Sequence, residues 1–143
     1  MRLILALALF LPAMAAEDRC VWLNAATAGG ALGGAVHAAV TPTSCEFTRQ
    51  SGGHDFALRI EVTAISAPHA QCGPRADALK AIGNEALACA YEGKEGWIGE
   101  QVTGRVRDQA FLVRISTNDR TAAPKTLREK ARNIAEQVAG FLF

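Results

Sequence analysis

The 143-residue chain carries 15 lysines and arginines against 14 aspartates and glutamates, and half of its residues are hydrophobic. Arg2 belongs to a leader described next, so the remainder is formally neutral, which speaks against nucleic acid as a partner because phosphate neutralisation dominates such binding. The length suits one domain with one core rather than several.

Residues 1–15 read as a signal peptide. Arg2 provides the positive start, Leu3 to Leu11 is an apolar run too short to span a bilayer, and Ala13-Met14-Ala15 is the small-x-small pattern that signal peptidase reads. Cys20 follows Glu17-Asp18-Arg19 rather than small residues, so this is not a lipid-anchoring leader. The expected product is one domain, residues 16–143, periplasmic or secreted, with no membrane anchor after cleavage.

The first element raises a question of its own, because Ala28-Gly29-Gly30-Ala31-Leu32-Gly33-Gly34 has the glycine content of a phosphate cradle. A dinucleotide fingerprint needs G-x-G-x-x-G and a P-loop needs G-K-[ST]; neither the spacing nor the lysine is present. Asn24 is instead a good N-cap, Ala25 to Leu32 are helix-compatible, and Gly33 stands where a left-handed stop is wanted. The spacing therefore predicts a short helix and its stop.

The apolar period then changes from helical to alternating. Val36 to Val40 is read as a strand, as is Cys45-Glu46-Phe47-Thr48-Arg49, and Phe56, Leu58, Ile60 and Val62 alternate with Arg59, Glu61 and Thr63. Ser51-Gly52-Gly53-His54 joins the last two as a hairpin. Pro74 to Ala81 is expected to form a short helix ending at Gly83, and Leu87, Cys89 and Tyr91 a strand. After a turn at Glu92 to Gly96, Ile98, Val102 and Val106 mark one strand and Phe111, Val113 and Ile115 the last. From Pro124 onward, Leu127, Ala131, Ile134, Val138 and Phe141 recur at helical spacing. The fold class is α+β: a mainly antiparallel twisted sheet with helices on one face and the other facing water.

Four cysteines in an exported chain read as two disulfides. Three pairings are possible, and Cys20 with Cys45 and Cys72 with Cys89 is preferred because each closes a loop within one half of the chain. With no C-x-x-C and no H-x-x-x-H, no metal or cofactor is expected.

Cys20, Leu23, Ala25-Ala26 and Leu32-Gly33, followed by Cys45-Glu46-Phe47 and later Ile82-Gly83-Asn84-Glu85-Ala86, form a pattern over most of the mature chain. It resembles small exported bacterial domains of unknown function, best known as actinobacterial lipoproteins, some of which resemble the extracytoplasmic sensor domain of receptor-type serine/threonine kinases. The resemblance implies a sensor-like or binding domain and carries over no catalytic residue.

His54-Asp55 is the one close histidine–carboxylate pair, but chain neighbours on a turn seldom act together, and no G-x-S-x-G accompanies them. His37 falls in a strand and His69 in a loop, while Ser116-Thr117 and Glu85 offer further polar groups. The leading expectation is thus a non-catalytic binding or sensor-like domain for an envelope or extracellular protein or a small ligand. Its candidate contact residues are Trp97, Arg59, Arg105 and Arg114, the arginines standing with Glu61 and Thr103 on the exposed sheet face; Trp22, beside Cys20, is assigned to the core. A ligand-binding domain should show an apolar pocket between the sheet and the final helix. The alternatives are an inhibitor of a secreted hydrolase, presenting Glu92 to Trp97 as a protruding loop, and an unrecognised hydrolase around His54.

Overall fold

In a computed structural model that describes residues 19–143, the alternating segments become seven strands of one antiparallel sheet. The signal peptide expected at residues 1–15 lies outside the described residues. The strands are β1 His37–Val40, β2 Ser44–Ser51, β3 His54–Ala64, β4 Asp77–Leu79, β5 Glu85–Glu92, β6 Ile98–Val106 and β7 Gln109–Thr117, in the spatial order β1-β2-β3-β7-β6-β5-β4. Two meanders, β1 to β3 and β4 to β7, are therefore joined by the long β3–β7 ladder, which runs from Phe56 opposite Thr117 to Ala64 opposite Gln109.

Two helices cover one face. In α1, Ala25–Leu32, the Asn24 side chain accepts a hydrogen bond from the Thr27 amide at 2.7 Å, and Gly33 stops the helix at φ 88°. The glycine run is thus a helix end: the Gly29 carbonyl accepts from the amides of both Gly33 and Gly34, the left-handed geometry glycine takes without steric cost. In α2, Pro124–Leu142, the residues Leu127, Ala131, Ile134 and Val138 are buried as the spacing predicts. Phe141 departs from the expected stripe and is 59% exposed. α1 lies over β2 and β3, and α2 over β5, β6 and β7, so one core joins both meanders through Phe47, Leu58, Ile60, Val102, Val113 and Ile115.

The disulfides are Cys20–Cys45 and Cys72–Cys89, the preferred pairing. The first ties the segment before α1 to the helix-covered side of β2; the second is on the opposite face, because Cys89 opposes Gln101 and Gln101 opposes Arg114. Two disulfides suit an oxidising, non-cytoplasmic environment. No helix of the described residues is long and apolar enough to cross a membrane.

Two expectations are corrected. Pro74 to Ala81 is not helical: Asp77–Leu79 is an edge strand paired to β5, with Leu79 opposite Ala86. The segment has to travel from the end of β3, in the middle of the sheet, to the far edge, and Cys72 anchors it on the way; pairing with β5 also satisfies backbone groups that an uncapped helical turn would leave open. For the same reason the second face is not wholly open to water. Residues 65–76 cross it as a strap, and Leu112 and Thr103, which the register places on this face, are buried although no helix lies over them.

Candidate functional site

The strap divides the uncovered face. Towards the β6–β7 turn it encloses a depression lined by Ile65, His69 and Gln71 from the strap and by Leu87, Thr103 and Arg105 from the sheet. Towards the opposite end the face is bare, and there a trough of about 840 Å³ runs across the strands. That volume falls within the range of small-molecule sites, about 300–1,000 Å³. The expected pocket between sheet and final helix is replaced by this trough on the other side, because α2 seats its small residues Ala131, Ala135 and Ala139 closely against the core.

The trough exists because of a row of small residues. Ala57, Ser116 and Gly99 stand opposite one another on β3, β7 and β6, and the row ends in Thr48 and His37 on one side and Tyr91 on the other. Gly99 is buried, and a Cβ there would collide with the Ile115 carbonyl oxygen, so β6 admits no larger residue at that place without the strands shifting. Trp97 stands at the Tyr91 end, held by the tight turn Lys94–Gly96: the Gly93 amide donates to the Trp97 carbonyl at 2.9 Å, and the Trp97 amide to the Lys94 carbonyl at 3.2 Å. Lys94 and Glu95 of this turn are exposed, and its tryptophan is half-buried against the trough.

Two arginines of the adjacent row face the trough under opposite electrostatic conditions. Arg59 donates from Nε to Glu61 at 2.7 Å and from Nη1 to Glu46 at 3.0 Å. Burial pulls its pKa down, but the hydrogen bonds and charges of Glu61 and Glu46 outweigh this and hold it above the ordinary arginine value, so the cation is locked and locally neutralised. Arg114 meets no carboxylate among the described residues. Its Nε donates to the Gln101 side-chain oxygen at 3.0 Å, and its guanidinium carbon lies 3.9 Å from the centroid of the Tyr91 ring. This is a stacked cation–π arrangement that fixes the plane of the group and leaves both Nη atoms without a protein partner among the described residues.

One step along β3 from the floor, Asp55 is fixed: its carbonyl accepts from the Thr117 hydroxyl at 2.8 Å and its amide donates to the Asn118 side chain at 2.8 Å. The structure thus brings together Trp97, Arg59 and Arg114. It does not bring Arg105 to them: Arg105 stands 3.7 Å from Glu85 and donates to the Arg107 carbonyl at 3.0 Å, at the strap end of the sheet. The histidines disperse, His54 to the hairpin turn, His37 to the edge strand and His69 to the strap. Among the described residues no group of three or more His, Cys, Asp or Glu is disposed to hold a metal. Trp22 packs against the core.

Tyr91 and Gln101 were not singled out from the sequence, yet the alternation Leu87, Cys89, Tyr91 and the two hairpin registers carry the signal that places them beside Arg114. The Ile82-Gly83-Asn84-Glu85-Ala86 motif has a structural use: Ile82 is buried, and the Asn84 side chain accepts from the Arg107 amide at 2.6 Å, bracing the β6–β7 turn. Compared with protein-family models and with curated proteins, the chain matches none.

Proposed function

We propose that the chain is an exported, non-catalytic binding domain of the periplasm or extracellular space, and that it receives its ligand in the trough of the uncovered sheet face. The single observation that carries this reading is the trough itself. It has a floor of Ala57 and Ser116, a tryptophan and a tyrosine at one end, and a fixed guanidinium at its side, on a sheet backed by one core and stapled by two disulfides. A rigid concave surface loses little conformational entropy on binding, which suits recognition. The non-catalytic part of the reading is supported by His54 and Asp55: His54 is exposed on the hairpin turn, and the Asp55 carboxylate accepts from the Asn118 side-chain amide at 3.5 Å and makes no hydrogen bond to His54 among the described residues. The resemblance to extracytoplasmic sensor domains agrees with a binding role.

The test is to fill the trough. Ala57→Phe projects a ring from β3 over the floor without touching the core face. The oxidised wild type and this variant are equilibrated with a small-molecule extract of the envelope and growth medium, then compared by native mass spectrometry. Retention of a bound mass by the wild type alone is the expected result; equal retention, or none by either protein, overturns the assignment.

A further inference from the structure

We infer that the trough is selective for an anion carried on a flat-faced ring, with Arg114 as its anchor. The inference rests on the binding reading above and adds the ligand's chemistry. Arg59 and Arg114 are neighbours in the β3–β7 ladder, so they share one strip of sheet, and the contrast between them carries the argument. Arg59 spends its Nε and Nη1 on Glu61 and Glu46. Arg114 spends only Nε, on the neutral Gln101, and has an uncharged ring beneath it instead of a carboxylate. Its positive charge is therefore uncompensated within the described residues, and its two Nη groups present the fork that matches a carboxylate or a phosphate.

The rest of the ligand follows from the surroundings. Beside Arg114 in β7, across one register step, is Ser116, whose hydroxyl has no protein partner among the described residues and is available to the same anion. Tyr91 stacks one ring on the guanidinium, and Trp97 offers a further indole wall at that end of the trough. The floor of Ala57 and Ser116 has no branch to obstruct a planar or chair-shaped ring. Gln101 acts as a positioning residue, since it fixes the guanidinium plane without reaching the floor row.

The test uses matched probes on the oxidised protein: benzoate against benzamide, and N-acetylmuramate against N-acetylglucosamine, with phenyl phosphate to distinguish a phosphate from a carboxylate. Each is titrated while the Trp97 indole N–H and the Arg114 Nε–H are followed by NMR, with the Trp22 indole as an internal reference. Both acids are expected to bind at least about tenfold more tightly than their neutral partners, the size of a charge-assisted hydrogen-bond gain. Arg114→Met should bring the acids down to the neutral level, Arg114→Lys should keep part of the preference, and Gln101→Leu should weaken it while leaving the sheet amides in place. Stronger binding of phenyl phosphate than of benzoate also supports the anion anchor. Equal binding of acid and neutral probes overturns the inference and leaves the trough reading standing. An acid preference that survives Arg114→Met overturns it too. If no probe at millimolar concentration moves Trp97, the inference falls and the trough reading is decided by the extract comparison; if Trp97 shifts only with protein concentration, as for a second copy seated on the face, both readings fall.

Discussion

A buried carboxylate under α2 gives the sharpest test of how the sheet is held together. Glu100 points to the helix side of β6, its side chain only 6% exposed, and accepts from Nε and Nη2 of Arg128 at 3.1 and 3.0 Å. The same guanidinium reaches Asp77 of the edge strand β4, so one side chain of α2 ties the middle of the sheet to its margin. Burial works against the Arg128 cation, but the Glu100 and Asp77 hydrogen bonds and charges prevail and raise its pKa. Arg128→Met keeps the aliphatic stem and strands Glu100. Breaking a fully buried pair costs about 3–5 kcal/mol; because the Arg128 side chain is 34% exposed and water can reach it, about 2 kcal/mol is expected here. Asp77→Asn, at a 69% exposed side chain, should cost under about 1 kcal/mol. Removing both charges with Glu100→Met and Arg128→Met together should cost less than the sum of the single changes, since no unpaired charge remains. Urea unfolding of the four proteins measures the cycle. A coupling below about 0.5 kcal/mol between positions 100 and 128, or an Asp77→Asn penalty as large as that of Arg128→Met, would refute the reasoning.

Three further outcomes are expected. Replacing Cys72 and Cys89 by alanine opens a 17-residue connection and should lower stability by about 3 kcal/mol in the loop-entropy account, with faster amide exchange at Leu112 and Thr103 as the strap lifts; unchanged exchange there would mean that something else covers the face. Asn84→Ala removes the hydrogen bond to the Arg107 amide and should cost about 1 kcal/mol in a urea titration. The side-chain and backbone hydrogen bonds from Thr121 hold the Asp119 carboxyl below its ordinary value, so their stabilising effect is present at neutral pH and is lost as the pH falls through the lowered value. The Tm deficit of Thr121→Val should accordingly be visible at pH 7 and shrink steadily as the pH is lowered into the acid range; a deficit that does not change with pH would contradict the assignment.

Local rules carry the reading of the sequence as far as local contacts carry the fold. Asn24 and Gly33 delimit α1 because a cap and a left-handed stop are properties of single residues, and Ser51-Gly52-Gly53-His54 turns the chain because two consecutive glycines adopt positive φ, at 61° and 78°. Even the Tyr91 end of the trough is implicit in the chain, since the turns at residues 93–97 and 107–108 set the registers that place Tyr91, Gln101 and Arg114 on one face. The other end depends on β3 pairing with β7, about fifty residues later, and no turn chemistry specifies that ladder. The same distance explains the missed edge strand: Asp77–Leu79 is a strand only because β5 is there to pair with it and Cys72 delivers the chain to that edge.

The arginines show why exposure and charge counts alone do not locate a site. Arg128 and Arg59 are committed to carboxylates, and Arg105 to Glu85 and a carbonyl, so each satisfies the fold's own acids. In a chain whose 15 basic and 14 acidic residues nearly balance, an arginine beside two such pairs would ordinarily gain from a carboxylate of its own, yet Arg114 is given an amide and a phenol ring. Those partners orient the guanidinium without discharging it. They also remove rotamer freedom before any ligand arrives, so an incoming anion would have little further ordering to offset, whereas a solvated surface arginine would lose that entropy on binding. An arginine held flat and left charged beside an unbranched floor is an arrangement that contributes modestly to stability and substantially to recognition. For that reason Arg114→Met should leave the unfolding midpoint nearly unchanged while altering what the trough accepts, and a large loss of stability in that variant would mean that the residue belongs to the scaffold instead.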